Sequence, residues 1–545
     1  MSSRFDKSEA VIAGLVSIVY LLLTSLPYLA GYAAQNEASV FSGAALDRQD
    51  YAVHLASMQL GARGEWQYQL QFTAEPHPGA YVKLGYVFLG HVARWLGMTI
   101  PGTYQLGRIA FGLAACLAVY WLLGQILFTR LARLVALGLA LFGSGLGWLE
   151  WLFHWSPQAG VSPIDFWLID PYLFLGGMAF PHFSLITALL AIMTGLFLHL
   201  RRGSSGWLWG LLALCAAMSQ LIQPFAPFVL DLAMAGVLGL DLIKGRKNLI
   251  NQIGGLCLVG LAQMPLLIYN QHVFTSNPVW AAFSAQNITL SPKIEYYLFG
   301  FGIFWPFAIL GLVQVVKNWT QAPDQSREYP QINMDGLGLV AIWCGAALLL
   351  AFWPLNIQRR FMQAYTLPLG ILASAGFIWL VEGQKHAKLV VGLAKHKSSL
   401  GLGFVLLSAI SSLYLGFGLS LQMPLRPAAL FDPAALVQAV DWLPTQAVAG
   451  EVVLASEQTS QLVAARTGLR VYFGHPIETI AHQSKARLVE NFYAGRSDQE
   501  WISRSQIGWV IYGPAENNAG RTGLDYPFLR LAFQNNSVKV YQVTP

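Results

Sequence analysis

The chain has 545 residues, of which 55% belong to the AVILMFWYC set and only 11% are Asp, Glu, Lys or Arg, against roughly 25% charged residues in an ordinary soluble domain. With a mean hydropathy of +0.49, this balance excludes a water-soluble globule and puts most of the length inside lipid. The net charge of +6 comes from basic residues spread between apolar runs rather than gathered in a patch, which speaks against a nucleic-acid partner. Cys116, Cys215, Cys257 and Cys344 all fall in apolar stretches, so there is neither a disulfide framework nor a CxxC metal motif.

Eleven stretches are apolar enough to serve as membrane spans, near 11–31, 104–128, 134–152, 181–200, 206–221, 225–243, 249–274, 294–316, 337–355, 362–381 and 399–421. A span needs about 20 residues with few charges. Residues 206–243 are too long for one span and are broken at "QLIQPFAP", where Pro224 and Pro227 predict a turn between two helices. The first stretch lacks a signal-peptide cleavage site and is long enough to cross.

Lys and Arg in the connections set the expected orientation. With a cytoplasmic N-terminus, the inner segments carry Arg4 and Lys7; Arg130 and Arg133; Arg201 and Arg202; Lys244, Arg246 and Lys247; Lys317 and Arg327; and Lys385, Lys388, Lys395 and Lys397. The outer loops are longer and carry fewer. The chain therefore reads as N-in and C-out, with large outer segments at 32–103, 153–180 and 424–545.

The first outer loop contains "DRQDYAVHLASMQLGARG", in which Tyr51, Leu55, Met58 and Ala62 recur at helical spacing. The pattern predicts an amphipathic helix on the membrane surface, ending near Gly61 or Gly64. Asp47, Asp50 and His54 then lie within about 60° of one another around its axis. Two carboxylates and an imidazole on one face suit a general base, because partial desolvation and a neighbouring negative charge both raise proton affinity. The same positions suit a plainer reading, with Asp47 capping the helix and Asp50 as a first-turn acid favoured by the dipole. The three could also ligate a divalent cation, although nothing in the sequence requires one.

In the tail, 451–456, 469–473, 509–513 and 538–543 read as short strands, and 433–446, 457–467 and 484–494 carry helical spacing. No GxGxxG or GKS/T loop is present, so a nucleotide site is not indicated. The expected architecture is an α-helical polytopic membrane domain, residues 1–423, followed by a small extracytoplasmic α/β domain, residues 424–545.

The order of one span, a long outer loop opening with acids on a helix, then "PHPGAYVKLGYVFLGHVARWLG" and a second span beginning "YQLGRIAFGL" resembles the GT-C superfamily of polytopic glycosyltransferases. The resemblance implies a sugar donor linked to a polyprenyl phosphate, an extracytoplasmic acceptor, juxtamembrane helices within 47–97 and a catalytic acid in the first outer loop. Asp50 is the better match for that acid and Asp47 the second. The chain departs from the Asp-Glu pair of the protein mannosyltransferases, which argues against that protein-acceptor subclass, and it lacks the WWDxG-like tail motif of oligosaccharyltransferases, which argues against transfer of whole glycans to asparagine.

A lipid phosphate needs cations at the outer boundary. "PLNIQRRFMQAYTLPLG" puts Arg359 and Arg360 in a short outer loop, where they suit phosphate binding by guanidinium forks; snorkelling or pairing with an outer-loop acid is the alternative. Arg108, at the outer start of the second span, is a further candidate for the phosphate or a structural ion pair. Asp165, Asp170 and His182 lie among Trp and Phe in the second outer loop, a mixture that suits sugar rings and hydroxyls but also an interfacial aromatic belt. "NIT" at 287–289 meets the N-x-S/T pattern. His475 and Glu478 in "YFGHPIET" read as a solvated loop.

The leading expectation is an inverting hexosyl- or pentosyltransferase in the cell membrane, with Asp50 as base, Asp47 beside it, His54 orienting it and Arg359 and Arg360 on the donor phosphate. The alternatives are a transporter or flippase for lipid-linked sugars, or a non-catalytic scaffold. A transporter is expected to carry ionisable groups at mid-membrane depth, whereas here nearly all lie in loops or at span ends, Asp231 being an exception.

Overall fold

The computed structural model describes residues 7–154, 161–203, 206–246, 249–320, 331–382, 395–448, 450–497, 499–517 and 523–544. Arg4, Lys247, Arg327, Lys385, Lys388 and residues 155–160 of the second outer loop lie outside them.

This is a multi-pass membrane protein. Each of the eleven apolar stretches is helical. Among the described residues six helices are long and apolar enough to cross alone: Lys7–Ala34, Ile100–Ile126, Pro181–Leu200, Ala226–Ile243, Ile250–Ser276 and Met334–Ala351. Three more stretches are helix pairs bent by 52°, 70° and 52°, and Trp207–Ile222 and Thr366–Glu382 are shorter apolar helices. The turn expected at Pro224 is present between Ile222 and Ala226.

The chain divides into two compact units. The first comprises Met1–Pro27, Arg108–Leu267 and Thr289–Leu419. Its first bent pair, Arg130–Phe142 and Gly147–Phe153, breaks at "GSGL". The main-chain amides of Gly145 and Gly147, freed by the break, donate to Oδ2 of the buried Asp165 at 3.0 and 3.1 Å. A Cβ on Gly147 would sit 1.9 Å from Asp165 Oδ1, so only glycine fits here. The internal carboxylate thus replaces the helix partners that lipid cannot supply.

The second unit comprises Tyr28–Gly107, Ile268–Ile288 and Ser420–Pro545. The tail segment therefore does not stand by itself: the first outer loop and a short middle segment cluster with it. β1 (Ser39–Phe41) pairs antiparallel with β2 (Phe431–Pro433), Phe41 opposite Phe431. α1 (Arg48–Arg63) and α2 (Leu84–Leu96) approach backbone to backbone. A Cβ on Gly61 would meet Val87 O at 2.0 Å, and one on Gly90 would meet Met58 O at 2.0 Å. α3 (Glu457–Thr467) also packs on α1, where Gln59 Nε2 donates to Ala465 O and Arg466 O at 3.1 and 2.7 Å.

This packing corrects the expected surface helix. α1 ends at Gly64 as expected, in a left-handed cap (φ 102°), but ten of its residues between Tyr51 and Gly61 are buried. Its polar-looking faces are covered by protein. The exposed apolar side chains lie on α2 instead, at Phe88, Trp95 and Leu96.

The tail builds a five-stranded sheet from β3 (Val452–Leu454), β4 (Arg470–Val471), β5 (Ile507–Tyr512), β6 (Leu529–Gln534) and β7 (Lys539–Val543), in the order β4-β3-β5-β7-β6. β3 runs parallel to β4 and β5; β7 is antiparallel to β5 and β6. Its core joins Val452, Leu454, Val510 and Phe492 to Ala74 of the first outer loop. Residues 71–75 run along the free edge of β4: Val471 N donates to Gln71 O at 2.8 Å, and Arg470 bonds the carbonyls of Thr73, Ala74 and Glu75.

Candidate active site

Asp47 stands at the N-cap of α1 with φ 44°, and its carboxylate accepts from Asp50 N at 3.1 Å. This is capping geometry: a first-turn amide without a helical partner is satisfied by the side chain. Asp50, in the first turn, directs its carboxylate to His475 of the tail, with Oδ1 3.3 Å from Nε2. The Asp50 side chain is 36% exposed and that of His475 only 5%. His54 lies one turn further on and stacks flat on Tyr86, ring centroids 3.9 Å apart and planes 8° apart. Among the described residues no group of three His, Cys, Asp or Glu side chains assembles a metal site.

The loop carrying His475 is buried rather than solvated, which corrects the sequence reading. His475 and Glu478 are 4% and 1% exposed. Thr479 Oγ1 accepts from Gly474 N and His475 N, Gln461 Nε2 donates to Gly474 O, and Gln286 Nε2 donates to the carbonyls of Ile477 and Thr479. Glu478 accepts from Tyr68 OH at 2.5 Å and from the Lys83 ammonium, which lies 5.1 Å from the Tyr68 ring centroid.

The segment between α1 and α2 is held by two further polar contacts. Lys485 Nζ bonds Glu75 Oε2 at 2.7 Å. Burial works against the Glu75 charge, but the bonds from Lys485 and Thr73 outweigh it and hold the carboxyl below its ordinary range. His77 Nε2 accepts from Leu70 N at 2.9 Å while Nδ1 lies 2.7 Å from Glu75 O. This is a neutral imidazole, and burial pushes its pKa down. Trp280 caps the cluster, donating from Nε1 to Pro78 O at 3.0 Å.

The first unit brings three other expected residues together. Arg360 Nη1 lies 3.3 Å from Asp170 Oδ1, and Arg359 Nε lies 4.0 Å from Asp170 Oδ2. Arg359 also sits over Trp167 at 5.9 Å. Both arginines are on the short 3-10 helix Gln358–Met362, and the Arg359 amide donates to Thr289 O. Asp170 balances one of the two charges, leaving this group of three a net positive charge. Arg108, Asp165 and His182 are placed otherwise. Arg108 is buried and donates to Thr24 O, Gly177 O and Ser25 Oγ. Asp165 holds the helix break, and His182 stacks beside Phe180 and Phe183.

Sequence reasoning missed His475 as the partner of Asp50, and Lys83 and Tyr68 as the partners of Glu478 in the same loop. The only trace was a His and a Glu three residues apart in the tail, with no local sign that they would be buried.

No protein-family model and no curated protein matches the sequence. Among solved structures, the archaeal oligosaccharyltransferase AglB from Archaeoglobus fulgidus, in complex with an inhibitory peptide and a dolichol-phosphate, superposes with a TM-score of 0.53 at 13% identity, covering 93% of this chain and 70% of that one. The chain has a GT-C fold. ArnT from Cupriavidus metallidurans bound to undecaprenyl phosphate gives a TM-score of 0.49 at 13% identity, over 98% of this chain and 97% of that one. The arabinofuranosyltransferase AftD from Mycobacteria gives 0.49 at 13%, over 98% of this chain and 40% of its own. The GT-C fold accounts for the order of elements expected from the sequence, in which a helical outer loop follows the first span.

Proposed function

We propose that the chain is an inverting membrane glycosyltransferase that moves a sugar from a polyprenyl-phosphate donor to an extracytoplasmic acceptor. One observation carries the reading: in a chain with a GT-C fold, the Asp50 carboxylate of the first outer loop is partly exposed and accepts from a buried imidazole. Asp50 takes the proton of the acceptor hydroxyl, whose oxygen attacks the anomeric carbon as the bond from that carbon to the phosphate oxygen breaks. A single displacement inverts the anomeric centre. Arg359 and Arg360, neighbours on one 3-10 helix that both face Asp170, are the proposed ligands of the donor phosphate. A dolichol-phosphate bound to AglB supports the lipid-phosphate class of donor. The lysine and arginine bias supports a cytoplasmic N-terminus and an extracytoplasmic tail.

Asp50→Asn tests this. The amide is nearly isosteric and still suits a first turn, so the chain should fold and bind a polyprenyl phosphate as before. Transfer from synthetic polyprenyl-phosphate sugars should fall by about 10²–10⁴, and Asp47→Asn, altering a cap, should fall far less. Undiminished transfer by a folded Asp50→Asn protein would overturn Asp50 as the base, whereas no transfer by the unaltered protein would leave the transport or scaffold reading.

A further inference from the structure

We propose that His475 is a positioning residue for Asp50, holding the carboxylate through a neutral N–H rather than a positive charge. The inference rests on Asp50 as the general base and deepens that reading.

The tautomer follows from geometry. His475 Nδ1 accepts from two main-chain amides, Ile477 N at 3.1 Å and Glu478 N at 3.2 Å. It therefore carries no proton, and the hydrogen of the neutral ring sits on Nε2, the atom 3.3 Å from Asp50 Oδ1. Protonating Nδ1 would set an N–H against two other N–H groups in a site almost closed to water. The geometry thus makes Nε2 the donor to Asp50.

Other charged and titratable groups lie near the pair. The charged or titratable groups around the pair are Asp47 on α1, Glu457 on α3, bonded to Gln49 at 2.9 Å, His482 at the next helix, 3.7 Å from Glu457, and Glu478, already paired with Lys83. Thr479, Gln461 and Gln286 fix the loop on both sides of the ring.

The consequence for catalysis is a compromise between aim and basicity. An Arg or Lys at this distance would orient Asp50 but stabilise its charge strongly, leaving a poor base. A neutral N–H orients it with a smaller stabilisation. The part of the carboxylate that remains exposed is where an acceptor hydroxyl would meet it.

The test uses the full-length chain in lipid nanodiscs with two readouts. Modification of Asp50 by a water-soluble carbodiimide, followed against pH by mass spectrometry, reports the carboxyl's titration without any substrate. Transfer from synthetic polyprenyl-phosphate sugars reports turnover. His475→Phe keeps the ring volume and loses the donor; the midpoint for Asp50 should move up by roughly half a unit to one unit, and kcat should fall about tenfold with KM for the donor unchanged. His475→Gln, which can still present an N–H to Asp50, should restore most of both. Adding His475→Phe to Asp50→Asn should cost less than about twofold further, because the two act as one group. An unmoved midpoint and normal kcat in His475→Phe, beside an inactive Asp50→Asn, would overturn the positioning role alone. So would equal losses in His475→Phe and His475→Gln. A shifted midpoint together with full turnover by Asp50→Asn would instead overturn the general-base reading.

Discussion

Replacing Lys83 by Met should destabilise the second unit by about 2–3 kcal/mol, and most of that loss should vanish when Glu478 is replaced as well. The Glu478 side chain is 2% exposed, while that of Lys83 is 24% exposed. Removing one partner of a fully buried ion pair costs about 3–5 kcal/mol, because the other charge is stranded. Water reaches the ammonium here, so part of the attraction is already screened and the lower end applies. Met keeps the unbranched stem, leaving Glu478 with the Tyr68 hydroxyl as a charged-group bond. Glu478→Gln retains an acceptor for Tyr68 and frees Lys83 to turn toward water, at about 1–2 kcal/mol. The double variant should cost at least about 1 kcal/mol less than the two single losses combined. Amide hydrogen exchange over residues 66–83 and 474–481 of the full-length protein reads these values locally, without assuming that a membrane protein unfolds in one step. Strict additivity, or a Lys83→Met loss below about 0.5 kcal/mol, would refute the idea that this pair fixes the loop behind His475.

The contacts of Glu75 and His77 predict acid sensitivity of the same segment. Both groups have depressed values in the folded chain, so their contribution is complete above the unfolded values and fades as pH falls. Protection of the Leu70 amide, which donates to His77, should be constant above pH 6.5, decline below it and decline again below 4.5. His77→Gln, which can bond both main-chain partners without titrating, should lose the first step; an unchanged step would assign it elsewhere. Gly61→Ala and Gly90→Ala should each force α1 and α2 apart and cost about 1–3 kcal/mol; wild-type stability in both would contradict the close approach. Arg360→Ala should weaken binding of a polyprenyl phosphate by about 1.5–3 kcal/mol, and unchanged affinity in the single and the Arg359/Arg360 double alanine variants would overturn the phosphate role of the pair.

The membrane helices were legible because lipid imposes one demand, a long apolar run, that a sequence meets locally. Their bends were not. The stretch 134–152 reads as one span because its glycines are apolar enough to pass, and the group that makes the break tolerable, Asp165, comes later in the chain. In the tail, four strands were legible, whereas β6 was not: most of its residues face outward or lie half-covered, so the inward alternation that marks a strand is weak. Its hairpin partner β7 and the intervening Asn535 and Asn536 were the available signal. The place of Asp50 on a helix was legible from helical spacing. Its imidazole partner was not, because His475 reaches Asp50 only through tertiary packing across more than 400 residues of chain, and local hydropathy is silent about which polar side chains such packing will bury.

The pairing of Phe41 with Phe431 carries a consequence for biogenesis. The partner strand of β1 is synthesised about 390 residues after it, which at roughly 5–20 residues per second is a delay on the order of 20–80 s. During that interval α1 has lost neither its apolar residues nor its need for α3, yet the ribosome has not made the surface that covers them. A nascent chain stalled before residue 420 should therefore present residues 39–96 as a protease-sensitive, chaperone-binding segment, and synthesis of residues 420–480 becomes the step that completes the second unit. Quality control of such a protein can read the arrival of residues 431–480 directly, because Asp50 gains its imidazole only when they dock.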